Sequence, residues 1–225
     1  MAYYRRALPR FVEVKRLLDA GRLGRLLRVD VRYESDAQAR LDRSKLPWRV
    51  QAQHAGGGLF LDLASHTLDV LDFLLGPLQF VGAEARNVCG TSDVEDRVEL
   101  AFDTSAGVVG HGSWNFSGSG RADSIRFEGS DGALTLSTFG DGPLELESAT
   151  GTESFSLPNP THIQQPLIQS VVDQLHGRGS CPSTGSSAAR TSALMDRALL
   201  GYYGSRGAEF WSDPLSFPGL GASNR

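Results

Sequence analysis

The segment GGGLFLDLASHTLDVLDFLLG, residues 56–76, sets Asp62, His66 and Asp69 into a strongly apolar run. On an α-helix, residues four apart share a face one turn along the axis, so the Asp62 carboxylate and the His66 imidazole can touch. Such a pair handles protons: imidazole titrates near neutrality, and a neighbouring carboxylate orients the ring and favours its charged form. Ser65, Asp69 and Asp72 continue the same polar stripe. One reading makes the stripe the solvent face of an amphipathic helix. Its composition argues otherwise, because a solvated face recruits Lys, Glu and Arg, whereas this one uses Asp, a poor helix-interior residue. The preceding Gly56, Gly57 and Gly58 let a ligand or another chain segment approach the backbone closely, although the run lacks the Walker lysine and the spacing of a dinucleotide fingerprint.

The elements that must position this stripe follow from the pattern on either side. MAYYRR reads as a short strand, and Leu8–Ala20 as a helix with Pro9 in its first turn, Gly21 as its stop, and Phe11, Val14, Leu17 and Leu18 as its buried face. LLRVDVRYES alternates Leu27, Val29, Val31 and Tyr33 against charged residues, the pattern of a half-buried strand. A polar loop with Arg43, Lys45, Trp48 and Arg49 leads to the glycines, and the helix that follows ends at Gly76-Pro77. From 78 to 157 the chain reads as six or seven short strands separated by Gly, Asp and Ser turns, an antiparallel arrangement. Two helices close the chain, one apolar at Ile163, Leu167, Ile168, Val171, Val172 and Leu175, the second beginning after the turn-rich GSCPSTG. The expected architecture is α+β, a large open, predominantly antiparallel sheet covered on one face by helices. Its bare face is expected to be an apolar self-association surface.

Bulk properties narrow the function. A chain of 225 residues with 40% apolar content can bury one large core. A net charge of −4 and a pI near 5.7 lack the basic footprint of nucleic-acid or membrane-surface binders. No apolar run approaches the roughly 20 residues that a bilayer requires. Cys89 and Cys181 stand in no metal or redox spacing, which points to a reduced, cytoplasmic protein. No ligand motif links His54 and His111 to Asp62 and His66, so no metal site is expected. A Ser-His-Asp hydrolase on Ser65 or Ser113 lacks a nucleophile elbow.

GGGLFLDLASHTLD resembles the GGG-x-x-x-D-x-x-x-H-x-x-D segment of the glucose-fructose oxidoreductase/inositol dehydrogenase/MocA (Gfo/Idh/MocA) family. AYYRRALPRFVEVKRLLDAGRLGRLLRV is similar to the start of that family's C-terminal domain, and PWR before the glycines to its W-R element. LIQSVVDQLHGRGSCPSTGSSAARTSALMDRALLGYY resembles its closing helices. The likeness covers about 200 of the 225 residues. It implies the C-terminal, dihydrodipicolinate-reductase-like domain of an NAD(P)-dependent oxidoreductase acting on sugars, polyols or related carbonyl compounds.

The resemblance further implies that His66 is the general acid/base with Asp62 as its catalytic partner, and that Tyr4, Arg5, Arg6, Trp48, Arg49 and Asp69 contact substrate. It makes Gly56, Gly57 and Gly58 candidates for cofactor contact. The family's N-terminal Rossmann domain, with its dinucleotide turn and Glu-Lys-Pro element, has no counterpart in these 225 residues. Residues 1–213 are therefore expected to form a substrate-binding and oligomerisation domain followed by a flexible tail, 214–225. NAD or NADP would serve a full-length enzyme, with none bound by this chain alone. The expected partners are a sugar- or polyol-like small molecule and further copies of the chain, a dimer or tetramer through the open sheet face. The alternative is a non-catalytic module that binds a sugar-like ligand or dimerises.

Overall fold

The computed structural model describes residues 3–204; the expected tail lies outside them. The chain enters through a 3-10 turn, Tyr4–Ala7, where the sequence suggests a strand. The reason is local: Pro9 holds Leu8 extended (ψ 138°), and the Leu8 amide bonds back to the Arg5 carbonyl at 3.1 Å, closing the turn. Pro9 then opens helix α1 (Pro9–Asp19), which buries Phe11, Val14 and Leu17.

After β1 (Leu26–Glu34) and the short α2 (Ala52–Ala55), the glycine segment leads into a π-helical turn, Phe60–Ala64, and then α3 (Ser65–Leu75). Seven strands follow: β2 (Leu78–Arg86), β3 (Arg97–Thr104), β4 (Val109–Asn115), β5 (Ala122–Gly129), β6 (Gly132–Leu136), β7 (Leu144–Ser148) and β8 (Gly151–Phe155). Helices α4 (Gln165–Leu175) and α5 (Gly185–Tyr203) complete the described fold, with Thr184 and Ser187 forming a capping box for α5.

All eight strands form one sheet in the order β2-β3-β4-β1-β5-β6-β7-β8. Every pairing is antiparallel except β1 with β4, so β1 sits between two strands that lie far from it in sequence. One face is the core: Val29, Val31, Leu100, Phe102, Ile125 and Phe127 pack with residues of α1, α3 and α5, such as Val14, Leu68 and Leu199. Gly110 is required here because a Cβ would run into the Phe102 ring on the paired strand.

The opposite face is charged, not apolar as expected. Strand alternation turns Arg28, Asp30, Arg32 and Glu34 outward, and they pair along the strand as Arg28–Asp30 (2.5 Å) and Arg32–Glu34 (3.0 Å). Arg126 adds pairs to Glu128 (3.2 Å) and Glu147 (2.9 Å) on the same face. The apolar residues of α4 stay largely uncovered: only Leu167 is buried, and Leu175 is 81% exposed.

Candidate active site

The glycines serve the protein itself. Gly56, at φ 77°, ends α2. The Gly58 amide donates to the Glu95 carboxylate at 2.8 Å, and a Cβ on Gly58 would collide with the Glu95 carbonyl oxygen. Glu95 is fully buried; the Tyr203 hydroxyl at the end of α5 donates to the same carboxylate oxygen, and Gln38 donates to the Glu95 carbonyl at 3.0 Å. Burial and the Glu95 charge push the Tyr203 hydroxyl well above its ordinary pKa. This clamp fixes where the next turn begins. That turn is π-helical, with i→i+5 bonding that inserts an extra residue per turn, a feature concentrated at functional sites.

The extra residue alters the expected geometry. Asp62 does not hydrogen-bond His66; its carboxylate accepts from Arg49 Nε at 3.1 Å on the exposed side. Arg49 also lies over the Trp48 ring, 4.6 Å from the centroid, so Trp48, Arg49 and Asp62 form one exposed rim. The sequence places these three residues near one another without showing that they touch.

His66 lies inside this rim. Its ring contacts Tyr3 and Tyr4, each at a centroid distance of 5.7 Å. Nδ1 is buried without a hydrogen-bond partner, so the ring can exchange a proton with a ligand only through Nε2. Burial and the Arg5 charge together depress the His66 pKa to about 4, against the opposing pull of Asp62. Spacing alone suggests a carboxylate that favours the charged ring; in the fold the imidazole is neutral at physiological pH.

Arg5 is itself buried. Its Nε donates to the Thr138 carbonyl at 3.1 Å, its guanidinium lies between the Tyr4 and Phe139 rings at 4.8 and 4.6 Å, and Nη1 has no partner. Desolvation lowers its pKa.

The rest of the polar stripe faces inward, and the solvent-face reading fails for it. Asp69 and Asp72 are buried. Asp69 accepts two bonds from Arg6, each 2.7 Å. Asp72 accepts from Arg6 at 2.9 Å and from Arg190 at 2.8 and 2.7 Å. Burial raises Asp69 despite Arg6; burial pushes Asp72 up too, but Arg190 and Arg6 hold it below the usual carboxylate range. Arg6 and Asp69 therefore engage each other, tying the entry turn to α3 and α5.

A pocket of about 480 Å³ adjoins the other side of Phe139, lined by Tyr33, Glu34, Asp36, Arg121 and Asp123. Sequence reading singled out none of these, nor Glu95 and Tyr203. Tyr33, Glu34 and Asp123 meet through the pairing of β1 with β5, and Glu95 and Tyr203 through the packing of α5 against the turn before β3, neither of which leaves a mark in the local sequence.

The glycine segment does not fit the phosphates of a dinucleotide. The Gly58 amide is committed to Glu95 and the space beside it is filled by the Glu95 carbonyl, so this segment offers no open phosphate cradle. Among the described residues no group of three or more His, Cys, Asp or Glu is placed to hold a metal ion; His111 faces Glu99 on the open sheet at 3.5 Å and His54 is exposed.

Residues 11–135 match the family model described as the GFO/IDH/MocA C-terminal domain. Oxidoreductase P35 of Formosa agariphila is 28% identical over 199 residues, covering 87% of this chain and 60% of its own length. Levoglucosan dehydrogenase of Pseudarthrobacter phenanthrenivorans is 29% identical over 161 residues, 60% of this chain and 41% of that protein. A solved structure of levoglucosan dehydrogenase in complex with NADH and levoglucosan superposes with a TM-score of 0.73 at 21% identity, over 88% of this chain and 62% of that one. The chain thus spans about three fifths or less of these relatives.

Proposed function

The chain belongs to the GFO/IDH/MocA family, and on that premise we propose that it forms the substrate side of an NAD- or NADP-dependent oxidoreductase acting on a sugar, polyol or related carbonyl compound. The observation that carries this reading is His66: a neutral imidazole, half-buried between two tyrosines, with one nitrogen able to reach a ligand. Nε2 takes the proton of a substrate hydroxyl as it becomes a carbonyl, and returns it in the reverse direction. Tyr3 and Tyr4 hold the ring in place, and burial and the Arg5 charge keep it neutral. Trp48 and Arg49 face the substrate from the rim, with Asp62 fixing Arg49. Arg6 and Asp69 act at one remove, by anchoring the turn that carries Tyr4 and Arg5.

The group that accepts the hydride belongs to the length of the relatives that this chain does not span. On this reading the 225 residues are not expected to turn over a substrate without that group. Calorimetry of this chain with NAD(H) and NADP(H) is expected to give no heat of binding. Tight binding would contradict the assignment of the cofactor to another segment.

The internal use of the glycine amides favours a second reading, a non-catalytic module that binds a sugar-like ligand or dimerises. Turnover by a protein extended to the length of its relatives separates the two. We also propose that the chain self-associates through the open sheet face as a dimer or tetramer, since rows of alternating Arg and carboxylate are self-complementary under a two-fold axis. Both cysteines are free, in keeping with a reducing cytoplasm.

A further inference from the structure

The geometry points to an anion-selecting subsite: we propose that the pocket beside Phe139 holds a carboxylate or phosphate carried by the sugar-like substrate, and that Arg121 selects it. The proposal rests on the sugar oxidoreductase reading and narrows its substrate class.

The three carboxylates that line the pocket are already engaged. Glu34 pairs with Arg32 at 3.0 Å and accepts from the Gly120 amide at 3.1 Å. Asp36 pairs with Arg40 at 2.5 Å. Asp123 accepts from the amides of Thr138, Phe139 and Gly140 at 2.8, 2.7 and 3.1 Å, and lies within electrostatic reach of Arg5 and Arg10. Arg121 lines the same pocket, is exposed, and makes no hydrogen bond or ion pair with any described residue. It is the one cationic side chain among the residues that line the pocket.

The local balance of charge is the reverse of the chain's. Against Glu34, Asp36, Asp123 and Asp141 stand Arg5, Arg10, Arg32, Arg40 and Arg121, five cations to four carboxylates within a protein of net charge −4. Arg5 and Arg10 are buried to 6% and 2% exposure, and neither hydrogen-bonds a carboxylate: both donate to the segment 137–142. Arg5 and Arg10 face Asp123, and Arg10 also faces Asp141, so Arg121 is left as the cation that an anionic ligand would pair with. The planar guanidinium of Arg121 offers paired donors that suit a carboxylate or a phosphate. Tyr33 and Phe139 supply flat apolar walls for the carbon skeleton of the same ligand.

The pocket is built entirely from described residues, so the 225-residue chain suffices for the test. It would be titrated calorimetrically with D-glucuronate, glucose 6-phosphate and D-glucose, as wild type and as Arg121→Gln. At least one anionic sugar is expected to bind about ten-fold or more tighter than glucose, a single tenfold step in affinity, with glucuronate or the phosphate identifying which anion is held. Arg121→Gln should erase that preference while leaving the melting temperature unchanged, because Arg121 supports no other contact. Equal affinity for glucose, an undiminished preference in Arg121→Gln, or no binding of any of the three would each overturn the proposal. The oxidoreductase reading would survive all of these, since it is judged by turnover and not by this titration.

Discussion

The carboxylate of Glu95 accepts hydrogen bonds from the Gly58 amide at 2.8 Å and from the Tyr203 hydroxyl, joining the glycine segment to the last helix at a point with no exposure to solvent. Gly58, the last of the three glycines at the head of the polar stripe, is thereby explained: the backbone must come close enough to Glu95 that a side chain on residue 58 has no room.

The first consequence concerns Gly58→Ala. The added methyl meets backbone, which yields little, so a loss of about 1–3 kcal/mol is expected, as for other overpacked sites. Urea denaturation measures it. A variant as stable as the wild type would mean that the clamp is loose.

The second concerns the buried ion pairs. Removing Arg6 leaves Asp69 without its two donors and Asp72 with only Arg190. Breaking such a pair from one side costs about 3–5 kcal/mol, and Arg6→Ala is expected to fall in that range by thermal or chemical denaturation. Arg190→Ala should cost less, since Arg190 is 44% exposed and Asp72 keeps Arg6. The reverse order would show that the entry turn is not anchored through Arg6.

The architecture was legible in the sequence where the signal is local. The helix at 9–19, the strand at 26–34 and the run of strands from 78 onward follow from periodicity and turn residues. The place of β1 between β4 and β5 was not legible, because pairing over such a separation leaves no mark in either segment. Spacing brought attention to His66 and Asp62, but the π-helical turn between them changes the phase, and the charge that most affects His66 is that of Arg5, sixty-one positions away. Likewise Asp69 and Asp72 resemble solvent-face residues until Arg6 and Arg190 arrive from distant elements.

The third consequence is a titration. Monitored by NMR, His66 is expected to protonate near pH 4, below its ordinary value. Arg5→Met should raise the midpoint by removing a like charge, and Asp62→Asn should lower it further. Because the folded pKa lies below the unfolded value of about 6.5, the unfolded chain binds more protons between those limits. The contribution of neutral His66 is complete above pH 6.5 and is lost as pH falls toward 4. A midpoint at or above 6.5 would contradict the burial of the ring.

The fourth concerns assembly. If copies meet through the open sheet face, whose contacts are largely Arg–carboxylate, the mass by light scattering should fall toward the monomer as salt rises, since exposed pairs are screened. Insensitivity to salt would point to another surface, and the uncovered apolar side of α4 is the first to examine.

The measurement that tests the central claim most directly is hydride transfer by a protein comprising this chain and the further length found in its relatives, followed at 340 nm with an NAD- or NADP-linked sugar substrate. The account expects His66→Ala to lower kcat on the order of 100-fold or more, the usual contribution of a general acid/base, with Tm little changed. Near-normal turnover in that variant would contradict the assignment of His66 and return the chain to the reading of a binding module.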